Sequence, residues 1–220
     1  MLIKIITKED KITNWPTLQE LAINNKLDSF LQSGDNIPIT LKNGINISFD
    51  VGRDENNKIY FISHKCLPDR QSMNSERTNE GGWEKCDIRK YLNEEFFPLL
   101  PDELQSIIVP TEITQMLTCP TLTKTFDKLF LLSQPQVFGK IHGCTGTQKD
   151  IEDCQIDIFS QCEESRIKGC QDFSVDEWWL RTPVTASHNE FISVGERGSV
   201  SIGDARFHAK GIVPAFCITK

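Results

Sequence analysis

The sequence has little of what marks several large functional classes. Positive charge is not in excess: 24 Lys and Arg stand against 31 Asp and Glu, a formal net charge of −7. A surface that tracks a phosphate backbone needs cations in excess, so no nucleic-acid partner is expected. Within residues 177–220, Arg181, Arg197, Arg206, Lys210 and Lys220 nearly balance Glu177, Glu190, Glu196 and Asp204, and no basic stripe forms. No run approaches the roughly 18–20 apolar residues of a membrane helix, so membrane insertion is not expected. Met1-Leu2-Ile3-Lys4-Ile5-Ile6 is too short for a secretory signal, and no small-residue cleavage site follows. The expectation is folding in the cytoplasm, with action there, on a virion such as a phage tail, or at a cell surface.

Catalytic patterns are also missing. The four histidines are His64, His142, His188 and His208, and none lies in His-Glu-x-x-His or beside a Gly-x-Ser-x-Gly elbow. Cys217 and His208 can be drawn as nucleophile and base. However, Cys217 lies in the apolar run Ala215-Phe216-Cys217-Ile218, which reads as a buried, inert thiol. Gly195-x-x-Gly198 follows a strand pattern but opens no helix, so it makes no phosphate cradle. The eight cysteines contain no Cys-x-x-Cys knuckle. Free thiols are the expectation, with zinc among Cys144, Cys154, Cys162 and Cys170 as the rival. Glu190, Glu196 and Asp204 are too scattered in sequence to identify a calcium site. No cofactor and no metal is expected, and the chain is not expected to be an enzyme.

What is present is a patterned chain. Thr17-Leu18-Gln19-Glu20 is a capping-box pattern leading into Leu21, Ile23 and Leu27, with Gly34 as the stop. Residues 1–34 are therefore expected to form a small N-terminal helical extension or an oligomerisation arm, which leaves a homo-oligomer open. Ile37–Leu41, Ile45–Val51 and Lys58–His64 alternate, with Asn43-Gly44 and Asp54–Asn57 as turns, and predict an antiparallel meander. Short helices are expected over 87–93 and 102–108, and a buried strand over Phe126–Leu132. Residues 140–175 read as a long insertion. Strands are expected at 178–182, 190–194, 198–202 and 211–218. The whole is an α+β pattern.

Five blocks occur in one order: Gly82-Trp83; Asp87-Ile88-Arg89-x-Tyr91-Leu92-Asn93; Asp127-Lys128-Leu129-Phe130-Leu131-Leu132-Ser133; Trp178-Trp179-Leu180-Arg181-Thr182-Pro183; and Gly211-x-x-Pro214-Ala215-Phe216. This order resembles a bacterial and phage domain family with a C-type-lectin-like fold. Its members are similar to the variable proteins of diversity-generating retroelements and, more distantly, to formylglycine-generating-enzyme-like domains. The resemblance covers about residues 35–220. It implies two helices and a twisted antiparallel sheet in that span, with 178–218 as a variable, ligand-binding region.

It further implies a non-enzymatic protein for host adhesion and receptor binding, phage or prophage encoded, whose partner is a host-surface protein or glycan. A structural or assembly protein of a virion, and a formylglycine-generating-like metal oxidase, are the alternatives. The binding positions it implies are Val184, Thr185, Ala186, Ser187, His188, Asn189, Glu190, Ser193, Glu196, Arg197, Ser199, Ser201, Ile202, Asp204, Arg206, Phe207, His208 and Lys210. Phe191, Val194, Gly198, Val200, Ala205 and Gly211 would be framework. Two features depart from the family pattern. Val213 stands where relatives commonly have Arg. Glu190, Glu196 and Lys210 cannot arise by adenine-directed change of an AAC codon. Either those positions are not diversified or the protein is a fixed relative.

Within these blocks, Trp178 and Trp179 alternate in facing, so one is expected in the core and the other partly exposed. Arg181 is expected to make a buried or half-buried ion pair. Phe207 is either an exposed hot spot or a packed loop anchor.

Overall fold

A computed structural model describes residues 3–4, 12–13, 15–24, 26–116, 122–139, 153–169 and 175–218. In chain order the elements are β1 (Ile3–Lys4), β2 (Ile12–Thr13), α1 (Trp15–Ile23), β3 (Asn36–Thr40), β4 (Asn46–Arg53), β5 (Ile59–Ser63), α2 (Asp87–Lys90), α3 (Asp102–Ile107), β6 (Thr111–Met116), β7 (Leu122–Asp127), β8 (Phe130–Leu131), α4 (Gln134–Phe138), β9 (Lys168–Gly169), β10 (Val175–Asp176), β11 (Trp178–Pro183), β12 (Glu190–Val194), β13 (Val200–Asp204) and β14 (Pro214–Phe216). The chain is α+β with antiparallel sheets.

The expected meander forms. β3, β4 and β5 pair antiparallel, Asn36 facing Asp50 and Val51 facing Phe61. Gly44 makes the first turn at φ 85°, a left-handed conformation that glycine adopts without steric cost. In the second turn the Asp54 carboxylate accepts from the Asn56 and Lys58 N–H groups and from the Tyr60 hydroxyl. β14 then adds beside β5 and β8 beside β14, so the chain's last strand lies inside the sheet.

Burial of the Phe49, Phe61 and Phe216 face gives the sheet its core. Phe61 and Phe216 stack with ring centroids 5.0 Å apart, Phe49 meets Phe216 edge-on at 5.0 Å, and Trp15 closes on both. Trp15, Leu18 and Ala22 form the buried stripe of α1. The segment read as an N-terminal extension thus enters the same core as the sheet.

The expected helix start is corrected. α1 begins at Trp15, with Pro16 in its first turn where its fixed φ suits a helix start, so Thr17 lies inside the helix. Gly34 ends no helix; it lies in a turn at φ 90°, after α1 has stopped at Ile23. The single buried strand expected over Phe126–Leu132 is also corrected. Asp127 turns inward and ends β7, β8 joins a different sheet, and Phe126 lies outward, opposite Glu112, 61% exposed.

The helix after Gly82-Trp83 runs from α2 through a wider turn at Tyr91–Phe96 into Phe97–Leu99, burying Ile88, Leu92 and Phe96. It is tied to the β6–β7 hairpin by one carboxylate. Asp127, 2% exposed, accepts from Trp83 Nε1 at 2.8 Å, Arg89 Nε at 2.8 Å and Thr125 Oγ1 at 2.7 Å. Asn93 adds a second tie, donating to Leu129 O and accepting from the Lys128 and Leu129 N–H groups.

Of the expected insertion, residues 140–152 and 170–174 lie outside the described residues. Residues 153–169 pack across the outer face of β4. There Asp157 accepts from the Arg53 N–H at 2.9 Å, and buried Lys168 donates to Asp50 at 3.2 Å.

Removing the shared carboxylate by Asp127→Ala leaves the Arg89 charge and the Trp83 indole N–H without their acceptor. It is expected to cost about 3–5 kcal/mol, read as a drop in the urea midpoint at unchanged slope.

Candidate functional site

β11, β12 and β13 form a three-stranded antiparallel sheet in that order, and the positions expected to vary are strung along it and its turns. Both faces of β11 are covered, which corrects the expectation that one tryptophan is partly exposed: Trp178 and Trp179 are each 0% exposed. Trp178 packs beside Phe159 and donates to Arg166 O at 3.0 Å. Trp179 donates to Gln71 O at 2.8 Å and lies beneath the Lys210 ammonium, 5.2 Å from the ring centroid. Gly203 makes that stack possible, since a Cβ there would lie 2.3 Å from the Trp179 ring and 2.5 Å from Lys210 Cε.

Arg181 is buried as expected. Its guanidinium pairs with Asp153 and donates to Leu131 O at 2.7 Å and Gln136 Oε1 at 2.8 Å. Gln136 closes a capping box with Ser133 at the start of α4.

Four of the expected display residues are buried and act as scaffold. Val184 is 8% exposed. Ser193, 0% exposed, lies with its hydroxyl 3.0 Å from Lys210 Nζ. Lys210, 6% exposed, also pairs with Glu177 and reaches Ile202 O at 3.4 Å. Asp204, 7% exposed, accepts from Arg77 Nε at 2.8 Å, from the Asn189 amide, and from the Arg206 and Phe207 N–H groups. The reason is common to the polar three: each polar head bonds groups from separate segments, and turning it outward would strand those groups. Val200, expected as framework, is 40% exposed, whereas Phe191, Val194, Gly198, Ala205 and Gly211 are buried.

Ser201 is half-buried and Ile202 exposed on β13 itself, and the remaining positions reach the surface in three places. Thr185, Ala186 and His188 are exposed on the β11–β12 loop, with Ser187, Asn189 and Glu190 half-buried. Asn79 shapes that loop, its amide reaching the carbonyls of Val184, Ser187 and Glu190. Glu196, Arg197 and Ser199 are exposed on the β12–β13 turn. That turn needs Gly198: its φ is 79°, and a Cβ would lie 2.0 Å from Glu163 O.

Arg206, Phe207 and His208 follow β13, beside the β11–β12 loop. Phe207 is 66% exposed, with the guanidinium carbons of Arg77 and Arg206 at 5.7 and 5.6 Å from its ring centroid. His208 Nδ1 accepts the Asp204 N–H at 2.8 Å, which leaves Nε2 as the donor side of the ring. An open cleft of about 520 Å³ lies here, lined by Asp176, Glu177, Ser201, Ile202, Phe207, His208, Ala209 and Lys210.

Glu177, Asp176 and Arg77 belong to this site and fall outside the expected set. The first two adjoin Trp178 and were legible by proximity. Arg77 lies 127 residues from Asp204, and no spacing signals it. Cys217 is in the core, bridged to Val109, and burial pushes its thiol up to about 11. Cys144 and Cys170 lie outside the described residues. Among the described residues no group of three or more His, Cys, Asp and Glu is placed to hold a metal ion.

A family model described as a domain of unknown function (DUF6273) matches residues 56–220, well over half of the chain, and the chain belongs to that family. No curated protein and no solved structure is matched.

Burial alone would raise the Asp204 carboxyl. The Arg77 guanidinium, the Arg206 and Phe207 N–H groups and the Asn189 amide outweigh it and hold the carboxyl down at about 2. A depressed carboxyl contributes stability that is present above its unfolded value of about 3.9 and is lost as pH falls through the folded value. The melting-temperature gap between the native protein and Asp204→Asn is therefore expected to be full above about pH 5 and to close towards about pH 2. A gap independent of pH would contradict this.

Proposed function

We propose that this member of the DUF6273 family is a non-enzymatic binding protein whose C-terminal face takes up a host-surface protein or glycan. The observation that carries this reading is Phe207. A large aromatic left two-thirds exposed, set between two guanidiniums at the lip of an open cleft, has the composition of an interface hot spot. The scaffold beneath it is preorganised, because Asp204, Asn79 and Lys210 fix the turns through side-chain hydrogen bonds and leave little loop entropy to lose on binding.

The finer fold we assign is C-type-lectin-like, on the order of the five sequence blocks. Trp83, Arg89, Asn93, Asp127 and Arg181 within those blocks make ties between elements distant in sequence. A phage or prophage setting and diversification by a retroelement follow from the same resemblance. The exposed β11–β12 loop, β12–β13 turn and 206–208 segment are where variation would be tolerated, whereas Ser193, Asp204 and Lys210 would have to stay constant. Packing on a virion partner is the second reading, favoured by the exposed Val200, Ile202 and Phe207.

The test is binding to a glycan array and to a panel of purified bacterial surface proteins. Joint replacement of Arg197, Arg206 and Phe207 by alanine is expected to weaken binding about 30-fold or more and to leave the melting temperature within a few degrees. Binding that survives the triple replacement would remove the face from consideration.

A further inference from the structure

We infer that the free edge of β13 is a docking strand for an extended segment of a partner polypeptide, added by main-chain pairing. This rests on the C-terminal face being the binding face and names the class of partner. β13 has β12 on one side and, among the described residues, no strand on the other. The phase of its ladder is fixed at both ends: Gly195 N–H donates to Ser199 O at 2.7 Å, and Ala205 N–H donates to Asn189 O at 2.7 Å. In an antiparallel pair these bonds recur at alternate residues. Ser199, Ser201, Gly203 and Ala205 therefore turn their main-chain groups to β12, and Val200, Ile202 and Asp204 turn theirs outward.

The outward groups are not all open. Asp204 N–H and C=O are both engaged by His208, and Ile202 C=O lies 3.4 Å from Lys210 Nζ. Val200 N–H, Val200 C=O and Ile202 N–H remain, and among the described residues no protein group meets them. Two donors and an acceptor at strand spacing match another extended backbone, which offers complementary groups at the same repeat. A sugar offers no such repeat.

Side-chain surroundings agree. Val200 and Ile202 are 40% and 47% exposed on the same strand face, and the cleft edged by Ile202 and Phe207 gives room for a side chain of the incoming segment. Charge sets its direction. At the Val200 end, exposed Glu163 and Glu196 outnumber Arg197. At the Asp204 end, Arg77 and Arg206 flank Phe207 and outnumber the Asp204 carboxylate, which Arg77 pairs with. The segment that fits carries a basic side chain at the first end and an acidic one at the second.

The experiment uses the full chain and a displayed library of random 12-residue peptides as the probe. Enriched peptides are expected to carry a basic residue towards one end and an acidic residue towards the other. N-methylation of the one peptide amide that would donate to Val200 O is expected to weaken binding about tenfold, while methylation of its neighbouring amides leaves it unchanged. Ile202→Pro removes an outward N–H and no bond to β12, a substitution edge strands tolerate, and is expected to weaken binding to a similar degree. The peptide methylation series reads the same contact should that variant fail to fold.

No enriched peptide, or enriched peptides indifferent to N-methylation, would overturn the proposal. Dimerisation of the free chain that Ile202→Pro abolishes would overturn it too, by assigning the edge to a second copy. Surface-protein or glycan binding that needs Phe207 but ignores Ile202→Pro would refute strand addition and leave the binding face standing. Peptides that pair with β13 but ignore Phe207→Ala would refute the face as drawn and keep the edge.

Discussion

The buried carboxylate of Asp127 is the constraint on which the layers depend. It is the common acceptor for an indole N–H, a guanidinium and a hydroxyl brought from the Gly82-Trp83 turn, the following helix and β7. A charge this deep persists only when its partners are supplied with good geometry, so the carboxylate dictates where the helix lies against the hairpin. Arg181 makes the matching demand from the other side, drawing Leu131, Gln136 and Asp153 towards β11. Asp127 fixes the helix on the β6–β7 hairpin and Arg181 ties the C-terminal sheet to β8 of the five-stranded sheet, while Trp83, Trp178 and Trp179 are wholly buried in the core.

Rigidity at the C-terminal face descends from that arrangement. With Trp179 fixed, Gly203 is the residue that lets β13 and Lys210 close over the ring, and Lys210 then links Glu177, Ser193 and Ile202. The 205–208 turn needs no packing of its own side chains outside Ala205, because Asp204 caps its N–H groups and His208 caps the strand end in return. Phe207 is thus carried outward by a turn that the Asp204 and His208 side chains hold. A ring left exposed in this way gains little burial on folding and would gain the rest only against a partner, as the proposed binding role requires.

Much of the fold was legible where the pattern is local. The β3–β5 meander follows from alternation and the Asn43-Gly44 turn, and β11–β14 from short apolar runs between glycines. The ion pair of Arg181 was legible from a guanidinium placed next to the apolar run Trp178-Trp179-Leu180. What was not legible depends on distant segments. Both tryptophans are buried because residues 157–166 cover one face of β11 and residues 71 and 210 cover the other. Ser193, Asp204 and Lys210 look like surface residues by type and became interior through partners as far away as Arg77. The start of α1 misled because a proline at the second position outweighed a capping-box pattern one residue later.

An exposed edge is a hazard as well as an opportunity, and β13 shows how one strand answers both demands. Long flat edges recruit like edges and aggregate, so soluble proteins shorten them, charge their ends or turn them under a loop. Here His208 closes the Asp204 end and Lys210 takes one carbonyl, which leaves two residues of open ladder between ends of opposite charge. Two such edges brought together antiparallel would set unlike ends side by side but have too few open main-chain groups to hold without added side-chain burial. A partner strand that also covers Phe207, Val200 and Ile202 supplies that burial. Selectivity then lies in the ring and the end charges, and the backbone groups set only register.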